Sequence, residues 1–591
     1  MLRDDGVIFV SIDDNEVNNL RMLIMRYPGN KISLKSQKMH KHFFARIPLF
    51  LYVVVLFLGV WIRLDQFLVQ TLNDDEWHAI HQLILHSPRD ILMSFGYADH
   101  SIPLTLLYWM EASCIGLSEL GMRWPMMLCG LATLVLLPWY VWRTVGQREA
   151  ILFASMLAIS PMLVVYSQTA RPYSITLLLG YVAHFAFCRY FGKTSHQLFF
   201  GSLYGVTAVL ATWMHLIVGP FVVAPFLYEG IAILRAPASE RQFRFRRILM
   251  LGLPTAIGML LFILPPLMAN FSAIGGKSGV IGPNFQTIVG VWYVWFGTPS
   301  SMTILIFLVL SVIGVPRLWR EMMVIRSALL GLVLTLVIIL VTKPTWVYHS
   351  VTFGRYLLQA IPLLLLFVAA GSVRLADALE QKIWPMRKVI GTAILFMPPL
   401  FLALQSPLAN MLRHPNTNLT HPVYYFDFRP DHNLILNRSI KDIPLSSYWS
   451  QLAALPRDSL HIAVAPFYFE SYNWDAPRWE LISGQTIIPA YLTGLCVDWR
   501  LGEIPNIERF KFKNAVFLSD QASLATHKID LIAYQKPYMV TEGNNTQHMV
   551  GEDTLNCEAA LRIRFGLPQY EDDKIIIFSF DATSKMQGYV K

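Results

Sequence analysis

Long apolar runs alternate with short polar, often arginine-bearing segments from residue 48 to residue 405. A helix needs roughly 17–20 apolar residues to cross about 30 Å of hydrocarbon. Runs of that length fall near 48–64, 122–142, 149–166, 174–191, 198–214, 216–234, 248–268, 300–316, 327–342, 353–371 and 388–405. The pattern predicts an α-helical polytopic membrane domain of about eleven transmembrane helices. Residues 198–234 are read as two spans with a tight turn near His215–Pro220, because one helix of that length would run to roughly 55 Å. Two further apolar stretches, Ile80–Ser94 and 104–118, are too short to cross, so they read as interfacial helices forming a ledge.

Beyond Gln405 the period changes. Short β-rich runs at Leu460–Phe469, Lys513–Leu518, Leu531–Tyr534 and Lys574–Phe580 stand between polar, proline-containing stretches, the pattern of a C-terminal α/β soluble domain. The expected organisation is a cytoplasmic tail over 1–47, a transmembrane domain over 48–405 and an extracytoplasmic α/β domain over 406–591. Residues 1–30 hold no span; they read either as a cytoplasmic extension or as an upstream start with Met39 the true beginning. No cleavable signal peptide is expected, since the first strong apolar run, from near Phe44, continues as a full span.

Composition supports a bilayer: 54% of the 591 residues are hydrophobic and only 15% charged, with a mean hydropathy of +0.44, which excludes an ordinary soluble protein. The net charge of +9 does not point to nucleic acid, because the basic residues cluster between apolar runs and line no continuous groove. They read as topology signals. Lys31, Lys35, Lys38, Lys41 and Arg46 precede the first span, and alternate loops carry Arg143/Arg148, Arg189/Lys193, Arg235 to Arg247, Arg317/Arg320/Arg326 and Arg374 to Lys388. The positive-inside rule then puts the amino terminus in the cytoplasm and, after eleven crossings, the last domain outside. Cys114, Cys129, Cys188, Cys496 and Cys557 show no CxxC spacing; Cys496 and Cys557 share the outer domain and are either a disulfide or two thiols.

Candidate chemistry concentrates at the outer boundary. Asn73-Asp74-Asp75-Glu76-Trp77 puts three carboxylates directly after the first span, where acidic residues need water or a task. Asp99 and His100 precede Pro103, Arg171 and Tyr173 end the third span, His215 sits at the turn between spans five and six, and Arg355-Tyr356 lies at the tenth. Arg171 and Arg355 stand where the charge rule disfavours them, which suggests an anionic partner such as a phosphate; snorkelling to headgroups is the plain alternative. Plain readings accompany the others too: a helix-start role for Glu76 and Asp99, backbone-satisfied histidines, belt aromatics at Tyr173 and Tyr356, and an acid partner for Arg123. Trp449, Trp474, Trp479 and Trp499 read as core aromatics before they read as sugar platforms.

In order, Asp75-Glu76, Asp99-His100-x-x-Pro103, Gly121-x-Arg123-x-Pro125, Ser160-Pro161, Tyr166-Ser167, Ala170-Arg171-x-Tyr173, His215, Arg355-Tyr356 and Pro362 resemble the glycosyltransferase C superfamily. Within it they are similar to the bacterial relatives of dolichyl-phosphate-mannose protein mannosyltransferases and of lipid A aminoarabinose transferases. The resemblance covers about residues 75–405. It implies a polyprenyl-phosphate sugar donor and an acceptor (a glycan, lipid or protein) that meet at the outer face of what is then a bacterial inner membrane. The Asn-x-Ser/Thr matches at Asn270, Asn418, Asn437 and Asn544 are then incidental.

By motif position Asp75 is the reactive acid, Glu76 completes its pair and Asp99 matches a second acidic position. His100, Arg171, Tyr173, His215, Arg355 and Tyr356 become candidate substrate contacts. No cofactor is expected to be required, a divalent metal being the less favoured case for this branch. The competing class is a transporter or flippase of lipid-linked saccharides, which is expected to show an internal repeat and a midplane site; no repeat is visible. A polysaccharide ligase or polymerase would carry a different motif set from the acidic pair after the first span.

Overall fold

The computed structural model describes residues 31–64, 67, 74–97, 101–192, 196–276, 278–279, 281–380, 385–406, 408, 445–465, 479, 482–488, 492–493, 516–517, 521–541, 547–550 and 556–580. The chain divides into one unit up to Val54 and a second from Val55. The helices are α1 (Lys31–Leu64), α2 (Asp74–Leu85), α3 (Pro88–Leu92), α4 (Ile102–Cys114), α5 (Glu119–Thr144), α6 (Gln147–Ala158), α7 (Pro161–Gln168), α8 (Tyr173–Phe191), α9 (Gln197–Met214), α10 (Gly219–Arg235), α11 (Ala238–Ala269), α12 (Phe271–Gly275), α13 (Phe285–Phe296), α14 (Ser301–Glu321), α15 (Met323–Thr342), α16 (Ser350–Tyr356), α17 (Ala360–Glu380) and α18 (Pro385–Gln405).

Among the described residues eight helices are long and apolar enough to span a bilayer, and nine if the bent pair α6–α7 counts as one. The apolar parts of the first and last expected spans, Pro48–Leu64 and Val389–Gln405, form shorter helices. Each expected span is built from helix, the third of them broken at Ile159–Ser160. The tenth differs in extent: residues 350–356 form their own helix and the long one begins at Ala360. As expected of the ledge, α2, α3 and α4 are too short to cross. These properties make the chain an integral membrane protein.

The bundle is held as membrane helices are, by close backbone approach and internal polar satisfaction. Gly314 of α14 and Gly371 of α17 face each other, and a Cβ on either would collide with the backbone of Phe367 or Leu310. In α10, Pro225 has no N–H to give the carbonyl of Phe221; Nε2 of His184 lies 2.9 Å from that oxygen and so donates to it. The other ring nitrogen is 2.9 Å from Ser327 Oγ. His184 thus serves packing.

At one end of the bundle the arginines are tied down. Arg148 pairs with Asp377 at 2.9 Å, Arg244 with Glu229 at 3.0 Å, and Arg317 with the buried Glu149. Arg247 reaches the Tyr190 carbonyl and Arg326 the Tyr228 hydroxyl. The loop residues at the opposite end carry the candidate site.

The C-terminal region has α19 (Ser447–Leu452), α20 (Gln521–Thr526) and α21 (Cys557–Phe565) with β1 (His461–Ala465), β2 (Thr486–Ile488), β3 (Leu492–Thr493), β4 (Val516–Phe517), β5 (Leu531–Gln535), β6 (Tyr538–Thr541), β7 (Gln547–Val550), β8 (Tyr570–Glu571) and β9 (Ile575–Ser579). A five-stranded sheet runs β2-β1-β5-β9-β8. Its first three strands are parallel and the last two pairings antiparallel. Alternate residues supply two cores. Ile462, Val464, Leu531, Ala533 and Ile577 pack with Trp449 and Trp479, while Ala463, Ile532, Tyr534 and Phe578 belong to a cluster that also holds Ile80, Leu83 and Tyr108 of the ledge. Trp449 and Trp479 stack at 4.8 Å and are buried, so these two are core aromatics; Trp474 and Trp499 lie outside the described residues. Cys557 is disulfide-bonded, whereas Cys114, Cys129 and Cys188 are free thiols; Cys496 lies outside the described residues.

Candidate functional site

Asp74, Asp75 and Glu76 form the first turn of α2, where the helix dipole favours negative charge. Glu76 turns inward and is fully buried. Its carboxylate accepts from Arg123 Nε at 2.8 Å and from Arg123 Nη2 at 2.7 Å, a two-point pair with α5. Oε1 also accepts the backbone amide of Ala170 at 2.7 Å, while Arg123 donates to the Phe67 carbonyl. The acid expected to partner Arg123 is therefore Glu76, and one carboxylate joins α2, α5 and the turn after α7. The backbone of Asp75 is part of α2; its side chain, together with Asp99 and His100, lies outside the described residues.

The turn held by Glu76 continues through Arg171 and Pro172 to Tyr173, the first residue of α8. Tyr173 is buried and meets three groups from elsewhere in the chain. The Arg355 guanidinium lies 5.6 Å from its ring centre, His215 lies 5.7 Å away and Tyr166 4.8 Å. Arg355 also lies 5.8 Å from the Tyr356 ring, and His215 lies 5.8 Å from Tyr356. A guanidinium over aromatic faces gains cation–π attraction that helps fix its place. Arg355, Tyr356 and His215 are half-buried, which leaves a ligand room to reach them.

Local structure explains each position. His215 closes α9 at a residue with extended backbone, and the Gly219-Pro220 start of α10 follows one short turn later. Arg355 and Tyr356 end α16, whose Gly354 sits so close to α13 that its carbonyl accepts the Trp295 indole at 3.2 Å. Ser101, at the head of α4, lies 3.5 Å from the sulfur of Met214, bringing the ledge to the His215 turn. His349 stacks on Trp346 at 5.7 Å and lies tilted against Tyr348 at 4.4 Å.

The two halves lie within a short reach. Ala170 touches Glu76 and Tyr173 touches Arg355, and three residues of chain span at most about 11 Å. Electrostatics agree: the buried phenol of Tyr108, pushed well up by burial, feels Glu76 and Glu111 on one side and Arg171 and Arg123 on the other.

Glu111 escaped sequence reasoning. It is buried in α4, accepts from the Trp124 indole at 2.8 Å, and its other oxygen packs on Gly121. Burial pushes its carboxyl up and the indole opposes that. The signal available was a lone acid within the apolar stretch 104–118.

Fold and site together define a polytopic membrane protein with a cationic, aromatic-walled site at the end of the bundle opposite its arginine clusters. Among solved structures the chain is similar to ArnT from Cupriavidus metallidurans bound to undecaprenyl phosphate, at 13% identity and a TM-score of 0.40 over 90% of this chain and 98% of that one. It is also similar to the apo oligosaccharyltransferase of Archaeoglobus fulgidus, at 13% identity and a TM-score of 0.41 over 86% and 75%. No family model matches the sequence, and no curated protein matches it.

Proposed function

We propose that this protein is a membrane glycosyltransferase that moves a sugar from a polyprenyl-phosphate carrier to an acceptor at the non-cytoplasmic face of a bacterial inner membrane. The observation that carries the reading is the convergence of Arg355, Tyr173, Tyr356 and His215, joined by one short tract through Arg171 to the turn that bears Asp75.

The chemistry follows from the residue types. An acceptor hydroxyl attacks the anomeric carbon, the bond from that carbon to the phosphate oxygen breaks, and polyprenyl phosphate leaves with the electron pair. Negative charge grows on the phosphate, where fixed cations lower the barrier. Arginine suits this because it stays charged and offers a planar fork to phosphate oxygens. Asp75 takes the hydroxyl proton as general base, and the single displacement inverts the anomeric configuration. Glu76 is then a positioning residue, since both its oxygens are already held by Arg123 and Ala170. Asp99 and His100 are assigned to acceptor or donor contact, and no step is routed through a metal.

The deciding test is Asp75→Asn in membranes supplied with a polyprenyl-phosphate sugar. Transfer is expected to fall by at least about a thousandfold while protein level and donor binding persist; undiminished transfer removes the base assignment. Mass spectrometry of surface glycans and lipids with and without the gene identifies sugar and acceptor.

A further inference from the structure

Arg63, near the end of α1, is 2% exposed inside an apolar bundle, and every hydrogen bond it makes among the described residues goes to a backbone carbonyl. Nη2 donates to Leu157 O at 3.0 Å, and Nη1 donates to Ala158 O and Gly59 O, each at 3.0 Å. Those first two carbonyls are the ones that a break leaves without donors. Pro161 has no N–H to return to Leu157, four residues earlier, and the chain bends by 57° between α6 and α7, so the buried end of α6 has carbonyls that its own helix cannot satisfy. A guanidinium there also meets the negative end of the α6 dipole. Binding is reciprocal: Gln168, the last residue of α7, donates from Nε2 to the Arg63 carbonyl at 2.8 Å.

The break is built into the surroundings as well. A Cβ on Gly59 would stand 2.9 Å from that of Ala158, and Gly297, whose φ of +62° already favours glycine, packs directly on the Pro161 ring. Immediately after Gln168 comes Thr169-Ala170-Arg171, the tract whose Ala170 amide is fixed on Glu76.

We propose that Arg63 is a positioning residue: by capping the broken end of α6 and fastening α7 it sets where the Thr169–Arg171 turn meets the Glu76 carboxylate beside Asp75. The inference rests on the proposed transfer reaction for its consequence, though not for its geometry. Straightening the α6–α7 break would carry the Ala170 amide away from the Glu76 carboxylate and loosen the first turn of α2.

The test uses the full chain in detergent or nanodiscs, with hydrogen exchange as a readout independent of activity. In Arg63→Met, exchange at the 160–171 peptide, including the Ala170 amide, is expected to quicken at least about tenfold while α14 and α17 peptides are unchanged. Unchanged exchange at 160–171 overturns the proposal whatever the enzyme does. Per folded molecule, kcat is expected to fall at least about thirtyfold, with Arg63→Lys recovering part of it because the charge still meets the carbonyl end; a purely structural arginine would lower the yield of folded protein and leave kcat per molecule intact. If Arg63→Met does not fold, Pro161→Ala gives the decision. It restores the missing N–H to Leu157, so it is expected to keep its melting temperature and lose transfer, and full activity there overturns the proposal. Absence of transfer in the wild-type protein, with the exchange result as expected, would count against the glycosyltransferase reading alone.

Discussion

Aromatic neighbours help to place Arg355. The Tyr173 and Tyr356 rings lie within 6 Å of its guanidinium, and the residue is half-buried, open to approach by an anion. Removing it is expected to cost phosphate binding and leaving-group stabilisation together: Arg355→Ala lowers kcat/KM for the lipid donor about a hundredfold and Arg355→Lys, which keeps charge but loses the fork, about tenfold. Donor titrations of both variants check this, and an unaffected kcat/KM would place the phosphate elsewhere. Glu76 illustrates the opposite case, a carboxylate whose lone pairs are spent on Arg123 and a backbone amide.

At Asp572, burial raises the carboxyl, but the Ser446 hydroxyl, the amides of Ile575 and Lys574 and the Tyr570 hydroxyl prevail and hold it below its usual range. A carboxylate lowered by folding adds stability above its unfolded value near 3.8, and that stability is lost as pH falls through the lower folded value. Asp572→Asn is therefore expected to lower the melting temperature of the C-terminal domain at neutral pH and to flatten its decline on acidification. Calorimetry between about pH 3 and 7 measures it; an unchanged acid limb would remove Asp572 from the linkage.

Helices α14 and α17 pass so closely that glycine is required on both. Gly371→Ala drives a methyl into the Leu310 backbone and is expected to destabilise the bundle by at least about 2 kcal/mol. At Gly230 in α10 an added methyl would meet nothing within 4 Å, so Gly230→Ala is expected to be neutral or to stabilise by up to about 1 kcal/mol through helix propensity. Thermal unfolding of both in detergent tests the contrast. The strand assignments at β1, β4, β5 and β9 follow the sequence runs, because β-branched clusters between turn residues leave few alternatives. Short strands such as β2, β3 and β8 have two or three residues each, too few for a period to register, and pairing partners alone create them.

Among the described residues of the bundle, Arg148, Arg244 and Arg317 with their acid partners lie at one end and the site at the other. If the basic end faces the cytoplasm, the disulfide of Cys557 lies in an oxidising compartment, where such bonds persist. In a Cys114→Ser background, which removes the exposed thiol among the described residues, a cysteine replacing the exposed Leu567 is expected to react with an impermeant maleimide in intact cells. One replacing Arg246 is expected to react only after permeabilisation. Reversed labelling would invert the topology and remove the extracytoplasmic reaction.

Periodicity and charge were enough to locate most helices, the shortness of α2 to α4, the α/β character of the last region and the list of charged residues worth watching, because span length and side-chain period are local properties written along the chain; the breaks at Ile159–Ser160 and before Ala360 were not legible there. Sequence could not say which of those residues meet. That Glu76 closes on Arg123 and Ala170, that Arg355 rests on Tyr173, and that Arg63 caps a break ninety-odd residues away are contacts between distant segments, fixed by how helices pack and by the requirement that every polar group buried in a bilayer find a partner.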